Sequence, residues 1–301
     1  MPMSAALPVT VDRTVTLETR LSHFPARRIA IAPQCAIGYR EAGAGHADAL
    51  PLVLLHGIGS GAASWVQQLD ALGTTRRVFA WDAPGYGEST PVASASPKAD
   101  EYAGALDAWL DALAVERCVL VGHSLGAIIA GSYAASRAQR VAGLLLISPA
   151  AGYGTASEDV RASKRDSRLA MLAELGPQGL ADQRQRSANM LSPYADEASR
   201  DWVRWNMSRI VPTGYAQATH LLANADLASD VARVNGPIAV AVGAEDSITP
   251  PSSCERIAQA ARTRLQIIPR AGHAGYIEAA NEYTALIDAF CRASDGQWSK
   301  A

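Results

Sequence analysis

Cys118-Val119-Leu120-Val121-Gly122-His123-Ser124-Leu125-Gly126 is the stretch whose reading decides the fold. Its first half is an unbroken apolar run ending in glycine, the pattern of a strand buried on both faces. That run passes directly into Gly-x-Ser-x-Gly, and the helical stretch Ala127 to Ser136 follows. A strand-to-helix turn this sharp forces its central residue into strained backbone angles, and its flanks leave no room for side chains, hence the two glycines. The helix aims its free N–H groups and dipole at the turn, where they favour developing negative charge. Ser124 is therefore a candidate nucleophile. The plainer reading, a serine that merely caps a helix, needs no glycine on either side.

Outward from this turn, short apolar runs bounded by Gly, Pro or Asp alternate with longer Ala-rich segments of helical period. That alternation predicts βα units around a mostly parallel sheet. Eight strands are expected: Ile29 to Ala32, Ala36 to Arg40, Leu52 to His56, Val78 to Asp82, Cys118 to Gly122, Leu144 to Ser148, Ile238 to Gly243 and Leu265 to Pro269. From about Gly152 to Asp226 no strand-like run occurs. This insert carries nine Lys or Arg and eight Asp or Glu between Ser157 and Ile210, and it reads as a helical cap. The expected division is a core of residues 1–151 and 227–301 with a cap over 152–226, placed where inserts overhang a ligand crevice.

Composition narrows the function. A net charge of −2 and a pI near 6.3 offer no basic excess for a nucleic acid, so none is expected as partner. No apolar stretch approaches the roughly 20 residues that span a bilayer, and the opening MPMSAALPVTVDRTV lacks the pattern of a secretory signal, so neither membrane nor export is expected. Cys35, Cys118, Cys254 and Cys291 are far apart and form no CxxC pair, which fits free thiols in a reduced, cytosolic protein. There is no HExxH and no His/Cys cluster with ligand spacing; no metal and no cofactor are expected.

Leu120 to Gly126 resembles the nucleophile elbow of the α/β-hydrolase family, and the likeness covers nearly the whole chain. His56-Gly57 after a strand, Asp82-Ala83-Pro84-Gly85-Tyr86-Gly87-Glu88-Ser89, Gly243-Ala244-Glu245-Asp246 and Gly272-His273 match that family too. The resemblance implies a Ser-His-Asp triad in the order Ser, Asp, His. Of six histidines, His273 follows the last expected strand in a Gly-flanked turn and is the expected base. Asp246 is the expected acid, favoured over its neighbour Glu245 by the family's G-x-x-D pattern. His123, on the elbow, is expected to point its side chain away from the site, and His220 to be a packing or surface residue.

Gly57-Ile58-Gly59-Ser60-Gly61-Ala62 also fits G-x-G-x-x-A, a dinucleotide fingerprint with Asp82 on the ribose. That assignment leaves the elbow and Gly272-His273 unexplained. The favoured reading is an oxyanion loop, with the N–H groups of Ile58 and Leu125 converging on one point. A serine nucleophile sets the chain apart from branches that use a carboxylate.

Pro212-Thr213-Gly214-Tyr215 through Leu227, with Thr249-Pro250-Pro251, resembles enol-lactonases and carbon–carbon bond hydrolases of ring degradation. The latter usually carry Asn before the nucleophile and Trp after the histidine, where this chain has His123 and Ala274. The expected partner is thus a small ester or lactone, with a carbon–carbon hydrolase as the alternative. A catalytically idle ligand-binding fold is the second class. Gly57, Arg204 and Trp205 are candidate substrate contacts, although Trp202 and Trp205, three apart on one face of a helix, fit cap packing better than substrate contact. The oligomeric state stays open, a homodimer among the options.

Overall fold

The computed structural model describes residues 16–45, 49–187 and 189–298. The opening segment 1–15, read above as lacking a signal, and His46 lie outside the described residues. Helix α1 (Leu17–Leu21) leads into β1 (Arg27–Ala32), β2 (Cys35–Ala42), β3 (Leu52–Leu55), α2 (Val66–Leu72), β4 (Val78–Trp81), α3 (Ala99–Ala112), β5 (Cys118–His123), α4 (Leu125–Ser136) and β6 (Val141–Ile147). After β6 come α5 (Glu158–Ser187), α6 (Glu197–Met207), α7 (Pro212–Asn224) and α8 (Leu227–Ala232), with no strand among the described residues. The chain then completes β7 (Ile238–Gly243), α9 (Pro251–Ala260), β8 (Leu265–Ile268), α10 (Gly275–Glu278) and α11 (Ala280–Trp298).

One eight-stranded sheet runs in the order β1-β2-β4-β3-β5-β6-β7-β8, antiparallel at β1/β2 and β2/β4 and parallel elsewhere. The expected mostly parallel sheet is what forms. Its middle strands are buried on both faces because side chains alternate between two cores. Val53, Leu55, Leu120, Leu144 and Leu146 pack with the α3 and α4 side, whereas Leu52, Leu54, Val119, Val121, Leu145 and Ile147 pack with α2 and α11. Strand ends differ from expectation by a few residues. β6 starts at Val141, three residues early, because Val141 and Gly143 pair with Cys118 and Val119 although Ala142-Gly143 is a weak strand former. His56 and Asp82 lie just past β3 and β4, at the edge where β5 delivers Ser124.

Candidate active site

Ser124 joins β5 to α4 at φ 53 and ψ −113, a left-handed conformation for a residue with a side chain. The elbow is possible only because of its flanks. A Cβ on Gly122 would lie 2.4 Å from the Gly126 carbonyl oxygen, and one on Gly126 would lie 2.4 Å from that of Leu55. The Ser124 N–H donates to the Ile147 carbonyl at 3.1 Å, which ties the turn to β6. The strain is held by packing on both sides.

His273 sits in the turn between β8 and α10, and its ring lines the same cavity of about 320 Å³ as Ser124. Its Nδ1 lies 3.0 and 3.2 Å from the two carboxylate oxygens of Asp246. Both residues are 3% exposed, whereas Glu245 is exposed, so it is Asp246 that faces the imidazole. Burial alone would raise the Asp246 carboxyl. The His273 charge and hydrogen bond, with the Thr249 N–H, outweigh burial and hold it down to about 2. An ionised carboxylate only accepts, so the Nδ1 proton points at Asp246 and Nε2 is left free as a base.

Three partners of this pair were not visible in the sequence. Thr249 donates its N–H to Asp246 at 2.9 Å and places its hydroxyl 2.9 Å from Oδ2 and 3.1 Å from His273 Nδ1. The buried Glu278 carboxylate accepts from the Gly272 N–H at 2.6 Å and from the Ser192 N–H and hydroxyl at 2.9 and 2.6 Å. It thereby fixes the histidine turn to the segment between α5 and α6. The third is His123, whose expected orientation is corrected. Its ring does not point away: it lines the cavity, packs tilted against the His273 ring with centroids 4.8 Å apart, and bonds through Nε2 to the His273 carbonyl at 2.8 Å. Gly57 makes the space, since a Cβ there would stand 3.0 Å from His123 Nδ1.

A carbonyl can only accept, so His123 carries its proton on Nε2. Its buried Nδ1 has no partner among the described residues. Burial, then the charge of His273, pushes the His123 imidazole down to about 3.

The loop after β3 is held by its carbonyls. The Ala83 N–H donates to His56 Nε2 at 2.9 Å, so the His56 proton is on Nδ1, which lies 2.8 Å from the Gly57 oxygen. The Tyr86 hydroxyl donates to the Ile58 carbonyl at 2.7 Å. In a trans peptide C=O and N–H point opposite ways, so with the Gly57 oxygen turned to His56 the Ile58 N–H faces away from it. Neither the Ile58 nor the Leu125 N–H meets a backbone carbonyl among the described residues, and both residues line the cavity. Asp82 spends a carboxylate oxygen on the Ala62 N–H at 2.7 Å, the part of a turn anchor rather than a ribose ligand.

Arg204 and Trp205 require correction as substrate contacts. Neither lines the cavity beside Ser124. Arg204 pairs with Asp182 at 2.7 Å, and Trp205 stacks on Trp202 at 4.7 Å with the Arg209 guanidinium on its ring. Val203, Asn206 and Met207 of α6 line the cavity instead. Those positions are spaced i, i+3 and i+4, one helix face, and that face excludes 204 and 205. His220 bonds to the Ser96 hydroxyl at 3.0 Å, away from this cavity.

Residues 51–280 match the family model described as alpha/beta hydrolase fold. The chain belongs to the α/β-hydrolase fold family. Among solved structures it is similar to a thermophilic esterase from Thermogutta terrifontis, with TM-score 0.78, 24% identity, and coverage of 90% of this chain and 99% of that one. The enol-lactonase from Burkholderia xenovorans aligns with TM-score 0.74 and 25% identity over 88% of this chain and 99% of that one.

Among curated proteins, a putative carbamate hydrolase of Variovorax paradoxus is 30% identical over 83% of this chain and 95% of its own length. The chain spans a smaller part of other relatives: 40% of a mouse (lyso)-N-acylphosphatidylethanolamine lipase, at 30% identity over 44% of this chain. No described helix is long and apolar enough to cross a membrane.

Proposed function

We propose that this protein is a serine hydrolase that cleaves a small carboxylic ester or lactone by two-step acyl transfer. The observation that carries the reading is the strained Ser124 elbow opening into one cavity with a His273 ring whose Nδ1 is bound by an ionised Asp246. His273 Nε2 takes the Ser124 proton as the hydroxyl attacks the carbonyl carbon. The N–H groups of Ile58 and Leu125 stabilise the resulting oxyanion, and His273 then returns the proton to the leaving alcohol. Water, activated by the same imidazole, attacks the acyl-enzyme and releases the acid. The enol-lactonase and esterase relatives favour an acyl carbonyl as the reacting centre.

The test is hydrolysis of p-nitrophenyl butyrate together with labelling by a fluorophosphonate. Ser124→Ala is expected to lose both while keeping the urea unfolding midpoint. Undiminished turnover in Ser124→Ala would sink the assignment, and a wild-type protein that neither labels nor hydrolyses would favour an idle ligand-binding fold.

A further inference from the structure

The cavity beside Ser124 is lined by three arginines, Arg168, Arg184 and Arg256, and by no aspartate or glutamate. Elsewhere the chain matches its buried arginines with carboxylates, as in Arg20 with Asp70 and Arg76 with Asp295. Within the insert Arg161 pairs with Glu158, Arg165 with Asp166 and Arg204 with Asp182, whereas Arg209 lies on the Trp205 ring. Among the described residues none of the three cavity arginines is within ion-pair distance of a carboxylate. Arg168 and Arg184 are half-buried, and Arg256 of α9 is exposed at the rim. What sets the three apart is that they share one cavity with Ser124 and no carboxylate lines it, so an anion entering there would meet only positive charge.

The backbone is built to bring two of them together. Arg168 and Arg184 are 16 positions apart on α5, a separation of about 24 Å in a straight helix. The helix is broken at Gly176, with φ 61 and ψ 178, followed by Pro177, so its two halves return to the same cavity. Burial outweighs the help of Tyr215 and, with a smaller push from the like charge of Arg168, sets the Arg184 guanidinium below its usual range. Two like charges thus face one cavity.

We infer that these arginines form a subsite for an anionic group, carboxylate or phosphate, on the non-reacting part of the ester or lactone. Guanidinium groups present paired N–H donors that match such oxygens. The inference rests on the proposed acyl-transfer reading and adds to it the class of substrate.

Monomethyl adipate, methyl 5-phosphonopentanoate and neutral methyl hexanoate, followed by pH-stat titration, test it. Wild type is expected to show kcat/KM higher for one acidic ester than for methyl hexanoate, by a factor on the order of ten to a hundred. Which acid gains tells carboxylate from phosphate. Arg184→Met should bring the ratio towards one and Arg184→Lys should keep most of it. Should Arg184→Met not fold, Arg256→Met and a rise in ionic strength should each lower the ratio. Brisk hydrolysis of methyl hexanoate with no gain for either acid overturns this inference alone. No hydrolysis of any ester and no labelling of Ser124 overturns the acyl-transfer reading and this inference with it.

Discussion

Replacing His123 by methionine should make the protein less sensitive to acid, by an amount the structure sets. The imidazole is 3% exposed, and burial with the His273 charge moves it from 6.5 to about 3. Between those values the unfolded chain binds a proton that the native chain refuses. Stability therefore falls as pH drops from about 6.5 towards 3, and the loss from this one group between pH 7 and 4.5 comes to about 2.5 kcal/mol.

Asp246 does not confuse the measurement. Its carboxyl is lowered from 3.8 to about 2, so its contribution is present above about 4 and disappears only as pH falls from there through 2. Burial also pushes His56 down, but that residue is common to both proteins. His123→Met gives up the hydrogen bond to the His273 carbonyl, about 1 kcal/mol at neutral pH. The assay is urea unfolding of both proteins at pH 7 and pH 4.5. Wild type should lose about 2.5 kcal/mol more than the variant on acidification. Equal losses would refute the argument that this ring is kept neutral by its surroundings.

Asp246→Asn should lower kcat/KM for p-nitrophenyl butyrate on the order of 10⁴-fold, because an amide no longer selects the Nδ1–H tautomer of His273; a loss below tenfold would move the acid elsewhere. Glu278→Gln should cost about 2 kcal/mol in urea unfolding, since its new NH₂ group faces N–H and O–H donors that the carboxylate accepted. A loss under about 0.5 kcal/mol would show that this carboxylate does not hold the histidine turn.

What could be read in the chain was local. Gly122-His123-Ser124-Leu125-Gly126 encodes its own bend, because each glycine answers a contact within a few residues or with the adjacent β3 strand end. The inner strands β3 to β7 were legible for the same reason: a both-faces-buried strand is written as a short apolar run. What escaped was held by partners far away in sequence. Thr249 and Ser148 are 101 positions apart, and Glu278 meets Ser192 across 86. No period or motif encodes such pairings. His123 was misoriented because the space it fills is made by the missing side chain of Gly57. For Trp205 the three-residue spacing from Trp202 already favoured packing, and the two rings stack on each other; which face of α6 turns inward is set by the buried Trp202, Asn206 and Met207.

The segment from Asn189 to Ser192 has a practical consequence for redesign. Its carbonyls and amides bond to Ser247, Ala274 and Glu278, and Gly272 is so close that a Cβ there would stand 2.6 Å from Leu191 and Ser192 backbone. These four residues belong mechanically to the His273 turn, although they sit in the middle of the insert by sequence. A chimaera that borrows helices from another hydrolase to change selectivity should splice on either side of them and keep the native tetrapeptide. Swapping the insert whole would import a foreign bracket for the imidazole, and the graft would then be judged on lost turnover when only its recognition surface was meant to differ.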